Sequence, residues 1–187
     1  MCGIAGIIHR SGGGHVGQEM TSMLDALRHR GPDSAGFALY GNPAAQNDYV
    51  LRFKLAEQDD FKKSFSIQEE IRRRRSQVDE RMKSMGVRIG DCIQSTDYAF
   101  RYSFSYDGDL RDLSAYLEDI QGVEILSIGH ALELIKDLGG ACDVAKLYSL
   151  EHFQGTHAIG HTRMATESDV DIRSAHPYWL ILLPTWQ

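Results

Sequence analysis

Cys2 stands directly behind the initiator methionine of a chain that continues Gly-Ile-Ala-Gly-Ile-Ile. Its side chain is small enough to permit removal of Met1. One residue would then carry both a nucleophilic sulfur and a free α-amine. That amine has a reference pKa of about 7.7–8.0, so it is a base poised near working pH. It would be covalently attached to the nucleophile it activates. Gly3, which has no side chain, lets other groups come close. Taken alone, a cysteine in second position is better read as an accident of sequence.

Two further segments change that weighting. One is Leu27-Arg28-His29-Arg30-Gly31-Pro32-Asp33-Ser34-Ala35-Gly36; the other is Gly160-His161-Thr162-Arg163-Met164-Ala165-Thr166, followed by Ala175-His176-Pro177. An arginine presents a planar fork that fits a carboxylate through two bonds. On residue type alone, Arg30 could instead complement a helix C-terminus, and Arg163 could be a buried ion-pair partner.

Together with the opening Met1-Cys2-Gly3-Ile4-Ala5-Gly6-Ile7, these segments resemble the class II glutamine amidotransferases, which are N-terminal nucleophile hydrolases. The resemblance implies a four-layer αββα sandwich. It implies Cys2 as the nucleophile, with Arg30 and Gly31 on the loop that holds the terminal residue; these three are the candidate catalytic residues. Arg163 falls on the arginine that clamps the glutamine α-carboxylate, and Thr166 on a hydroxyl contact to the same end. Asp33, His161 and His176 match positions read as structural. Met164, and the long charged stretch at 58–85, are most similar to stand-alone amidotransferase subunits of glutamate-synthase-like and N-methylglutamate-synthase-like complexes. In those, ammonia passes to a separate flavin-containing synthase subunit. No cofactor or metal is expected on this chain itself. An asparagine-synthetase-type branch also carries Arg-Gly-Pro-Asp, but no synthetase segment follows here.

The resemblance also implies a later Asn-Gly pair supplying an oxyanion hole, and a later aspartate for the substrate amine. The 187 residues contain two asparagines, Asn42 and Asn47, and neither precedes glycine. The expectation is therefore a single domain over 1–187, truncated or altered after about residue 179. The alternative to an active amidotransferase is a catalytically impaired binding or scaffold subunit. Uncovered strands in such a chain would favour a homo-oligomer.

Composition fits one globular α+β domain: 42% of residues are hydrophobic and 25% charged. The net charge of -6 argues against nucleic acid or an anionic membrane surface as partner. Three cysteines without a C-x-x-C pair are neither a disulfide framework nor a zinc ribbon, so a cytoplasmic setting is expected. Cys92 and Cys142 read as small core residues. No window approaches the roughly 18 apolar residues of a spanning helix.

The elements that must position these residues follow from periodicity. Strands are expected at 3–8, 35–40, 49–55, 87–94, 98–106 and 123–128, and an extended segment at 155–166. Helices are expected at 18–29, 58–85 and 109–120, with a short one capped by Asp143 and running to Leu150. Residues 130–137 fit helix or strand. Without βαβ regularity, layered α+β is expected rather than a doubly wound sheet.

Three patterns mimic other chemistries. Gly12-Gly13-Gly14-His15-Val16-Gly17 satisfies G-x-G-x-x-G, but a dinucleotide site also needs an acidic residue about 20 positions on, at the end of the second strand. Here that strand ends in Tyr40-Gly41. Arg72 to Arg75 form a basic run flanked by Glu69, Glu70, Asp79 and Glu80, a solvated or partner-docking face rather than a nucleic-acid patch. His157 and His161 have helical metal-ligand spacing, but in an extended segment their rings would not converge.

Overall fold

A computed structural model of the chain describes residues 2–43, 45–63, 65–164 and 176–178. Two four-stranded antiparallel sheets carry the fold. The first contains β1 (Gly3–Ile8), β2 (Ser34–Tyr40), β7 (Leu132–Leu138) and β8 (His157–Arg163), in the order β1-β8-β2-β7. The second contains β3 (Asp48–Lys54), β4 (Arg88–Gln94), β5 (Ala99–Ser105) and β6 (Glu124–Gly129), in the order β4-β5-β3-β6. The β6–β7 hairpin passes from one sheet to the other. Helices α1 (Val16–Ala26) and α5 (Ala141–Leu147) pack on each other and on the first sheet. Helices α3 (Ile67–Ser84) and α4 (Leu110–Glu118) pack on the second, and α2 (Asp60–Lys63) is a single turn. The result is a layered α+β arrangement. No helix among the described residues is long and apolar enough to cross a membrane.

The patterning explains the layers. Every residue of β2 from Ser34 to Leu39 is buried, as expected of a strand covered on both faces. In β5 the alternation of Phe100, Tyr102 and Phe104 with Arg101, Ser103 and Ser105 puts the rings on one face. There they meet Phe53 and lie below α3, whose Arg75 guanidinium sits 4.9 Å from the Phe100 ring. Helix α3 turns Ile67, Ile71, Val78 and Met82 inward. Asp109 caps α4 by accepting a 2.8 Å bond from the Arg111 amide.

Several expectations are corrected. The charged stretch at 58–85 is two helices, because α3 restarts at Ile67 behind Ser66, a residue type that favours the N-cap. Residues 130–137 resolve into strand β7. Gly140, not Asp143, stands at the start of α5, and Asp143 lies in its first turn. Cys92 is exposed because β4 is the edge strand of its sheet, and Cys142 is half-buried in the first turn of α5; neither is a core residue. All three cysteines are free thiols.

Candidate active site

The opening strand and the third motif are paired directly. In the antiparallel ladder Gly3 faces Thr162 and Ile4 faces His161. Continued by one residue, the same register sets Cys2 opposite Arg163. Strand β8 is paired on its other side with β2, where Ser34 faces Arg163. The Arg28–Arg30 turn of 3-10 helix, which follows α1, brings the second motif to the same end of the sheet. There Arg30 Nε donates a 3.4 Å hydrogen bond to the Cys2 carbonyl. Asp33 N donates to the Arg163 carbonyl at 3.1 Å, and Gly139 N donates to the Asp33 carbonyl at 2.9 Å.

The two glycines at this end are there for space. A Cβ on Gly31 would stand 2.5 Å from the Arg163 carbonyl carbon and 2.6 Å from its nitrogen. A Cβ on Gly3 would stand 2.8 Å from Thr162 Oγ1 and 3.1 Å from Leu27 Cβ. At Gly31 backbone therefore lies on backbone, at Gly3 neighbouring side chains close on the main chain, and Cys2, Arg30, Gly31 and Arg163 are brought to one edge of the molecule. Cys2 is exposed. Thr166 lies outside the described residues.

His176 and Pro177 reach the same face. The His176 and His161 rings are 4.9 Å apart, and the His176 and Tyr178 rings 4.6 Å. Gly36 of β2 makes room for them: a Cβ there would come 2.7 Å from Pro177 Cδ. Burial, then repulsion from His176 and the Arg163 guanidinium, pushes His161 below the usual imidazole range. All three motifs thus converge. A thiol at a strand end, opposite an arginine on the neighbouring strand, can attack a carbonyl whose distant carboxylate the arginine holds.

The three mimicking patterns are absorbed by the fold. Gly12 and Gly13 take φ of 75° and 84°, the left-handed turn glycine favours, and Gly14 bridges to Gly155. Arg74 is drawn inward to Glu70 Oε2 at 2.9 Å, and Arg75 donates to the Tyr102 hydroxyl at 2.8 Å. Half of the arginine run is thus spent on packing, while Arg72 and Arg73 stay exposed. His157 and His161 sit four residues apart on strand β8, about 13 Å at strand rise. His157 stacks on Tyr40 at 3.9 Å instead.

A second constellation went unforeseen. Glu133 of β7 accepts from Arg52 Nε at 2.7 Å and from Arg101 at 2.9 Å through both Nε and Nη2. Asp137, two turns of the pleat further on, takes Lys54 Nζ at 3.2 Å and the hydroxyls of Tyr98 and Tyr148, each at 2.8 Å. Burial pushes Arg52 below its usual value and both tyrosines above theirs. Burial also raises the nearby Glu57 carboxyl to about 7. The available signal was charge inside otherwise apolar strands: Asp-Tyr-Val-Leu-Arg-Phe-Lys and Leu-Glu-Leu-Ile-Lys-Asp-Leu.

No family model matches the chain. It is 38% identical over 190 residues to a Methanothermobacter thermautotrophicus protein provisionally named as a glutamine amidotransferase; the match covers 98% of this chain and 58% of that protein. It is 29% identical over 180 residues to the glutamine amidotransferase-like protein GlxB of Rhizobium meliloti, covering 95% of this chain and 54% of that one. The chain thus spans little more than half the length of the curated relatives it matches.

Proposed function

We propose that the chain is the glutamine-hydrolysing segment of a class II amidotransferase, built on the N-terminal nucleophile αββα plan. Removal of Met1 frees the α-amine of Cys2. The thiol gives its proton to that amine, and sulfur bonds to the side-chain carbonyl carbon of glutamine. The tetrahedral oxyanion then collapses: the carbon–nitrogen bond breaks, the leaving nitrogen takes the proton, and ammonia departs from a thioester. Water adds to the thioester, sulfur leaves, and glutamate is released. Arg163 holds the substrate α-carboxylate, with Thr166 as a further contact. Arg30 fixes the Cys2 carbonyl, and Gly31 allows its loop to lie on β8. Ammonia is delivered to a flavin-containing synthase subunit of the glutamate-synthase-like type.

What carries this reading is the register that sets Cys2 opposite Arg163, with Arg30 bonded to the Cys2 carbonyl. The names of the two relatives support it independently. The test is mass spectrometry of the purified chain together with a glutaminase assay of the parent and Cys2→Ala. The expected outcome is loss of Met1 and hydrolysis that falls to background in Cys2→Ala. Retained Met1 would exclude the mechanism as written.

A further inference from the structure

Away from Cys2, a cavity of about 640 Å³ opens between the polar side of the second sheet and the corner where α5 gives way to the Leu150–His152 turn. Its lining includes none of Cys2, Arg30, Gly31 or Arg163. The charged residues that line it are Arg52, Arg101 and Glu133, so two cations face one carboxylate. In a chain whose formal charge is -6, this is a local excess of positive charge. Desolvation makes it count. The side chains of Arg52 and Glu133 are only 7% and 6% exposed, and a charge in such a place interacts far more strongly than one in water.

The hydrogen bonds leave capacity for a second anion. Arg52 spends Nε on Glu133 and Nη1 on Ser95 Oγ, the latter at 3.2 Å. Arg101 spends Nε and Nη2 on Glu133. A guanidinium has five N–H donors in a fixed fork, so three on each arginine remain for an incoming oxyanion. The imidazoles of His130 and His152 and the amide of Gln154 also line the opening, and Val50, Leu150 and Phe153 supply apolar wall. Ser149, at the same corner, is held at φ 53°, a left-handed conformation that costs a non-glycine residue energy and gathers at ligand sites.

We propose that this cavity binds a small organic anion, a carboxylate or phosphate carried on an apolar body, with its oxyanion on the Arg52–Arg101 pair. The size fits: ligand pockets run from about 300 to 1,000 Å³, mostly apolar with a few convergent polar groups. The site stands whether or not Cys2 hydrolyses glutamine, because the two share no residue.

The test is NMR titration of the full chain with benzoate, phenyl phosphate and neutral benzyl alcohol. One or both anions should shift the resonances of His130, His152 and Gln154, and benzyl alcohol should bind at least about tenfold more weakly. The tighter of the two anions assigns carboxylate or phosphate. Arg101→Gln should weaken anion binding by about tenfold, the factor that about 1.4 kcal/mol gives. Ile93→Glu adds an acid at an exposed lining position directly across the ladder from Arg101, and should weaken it about fivefold. The second variant keeps the test decisive if Arg101→Gln does not fold. Cys2→Ala should bind the anions as the parent does. Absence of shifts up to about 10 mM anion, equal binding of benzyl alcohol, or parent-like affinity in Ile93→Glu would overturn the proposal.

Discussion

The two constellations are assembled in opposite ways. At the Cys2 end, position is set by main chain: a strand register, a 3-10 turn and a glycine, Gly31, pressed against neighbouring backbone. The Cys2 thiol itself stays at the surface. In the Arg52–Glu133–Arg101 and Lys54–Asp137 network, position is set by side chains that pair with one another, and all but Arg101 are nearly completely buried. The first arrangement is held by elements that exist for other reasons, so its side chains can change at little cost to folding. The second has no such support. A buried charge that loses its partner has nowhere to go.

The largest effect expected from this contrast is at Glu133. Glu133→Ala strands the buried Arg52 guanidinium and takes the carboxylate from the part-buried Arg101, and should lower stability by about 3–5 kcal/mol in urea unfolding. The glutaminase rate per folded molecule, measured at low temperature, should stay near that of the parent. A loss of only a few tenths of a kcal/mol would erase the distinction between the two regions. Gly31→Ala probes the other side. Its Cβ meets backbone atoms of Arg163 that cannot rotate away. The expected cost is about 1–3 kcal/mol of stability, with a fall in glutamine hydrolysis well beyond what the unfolded fraction explains. Unchanged hydrolysis would show that the loop does not position Cys2.

The smallest effect is a pH dependence. Burial, and the neighbouring Glu124 and Asp137, outweigh Lys54 and raise Glu57 from 4.5 to about 7. The folded chain therefore keeps a proton that the unfolded chain releases, and stability falls as pH rises from about 4.5 to about 7. Glu57→Gln removes that dependence. It should be the more stable form at pH 8 by on the order of 1–2 kcal/mol, after discounting for the partial exposure of Glu57. The difference should close near pH 4.5. Thermal unfolding across that range reads it directly, and parallel curves would refute the assignment.

Much of the fold could be read from periodicity because each sheet has a strongly patterned strand. The ring–polar alternation of β5 and the unbroken apolar run of β2 leave little choice of period. β7 could not be read that way. Its run Leu-Glu-Leu-Ile-Lys-Asp-Leu is buried from Glu133 to Asp137 on both faces, so its charges carry no face signal. They are buried because partners from β3, β5 and α5 come to them, and partners distant in sequence are invisible to local pattern. Much of the reactive end was legible for the converse reason. Cys2, Arg30, Gly31 and Arg163 were singled out by residue type and motif, and the ladder brings these motifs together whatever surrounds them. Thr166 falls outside the described residues. The cysteines misled: Cys92 and Cys142 are apolar by composition, yet one lies on an edge strand and the other is half-buried in the first turn of a helix.

The side-chain alternation of β1 has one more implication. Gly3, Ala5 and Ile7 point towards α1 while Ile4, Gly6 and Ile8 point away, so the sulfur's outlook depends on counting an even number of steps from Ile4 and Ile8. Insertion of a single residue within that strand would turn the thiol under the helix and leave the arginine's side of the sheet blank. Two added residues would restore the outlook but carry it past the end of β8. The length of this short strand is thus as much a part of the proposed chemistry as the cysteine at its head.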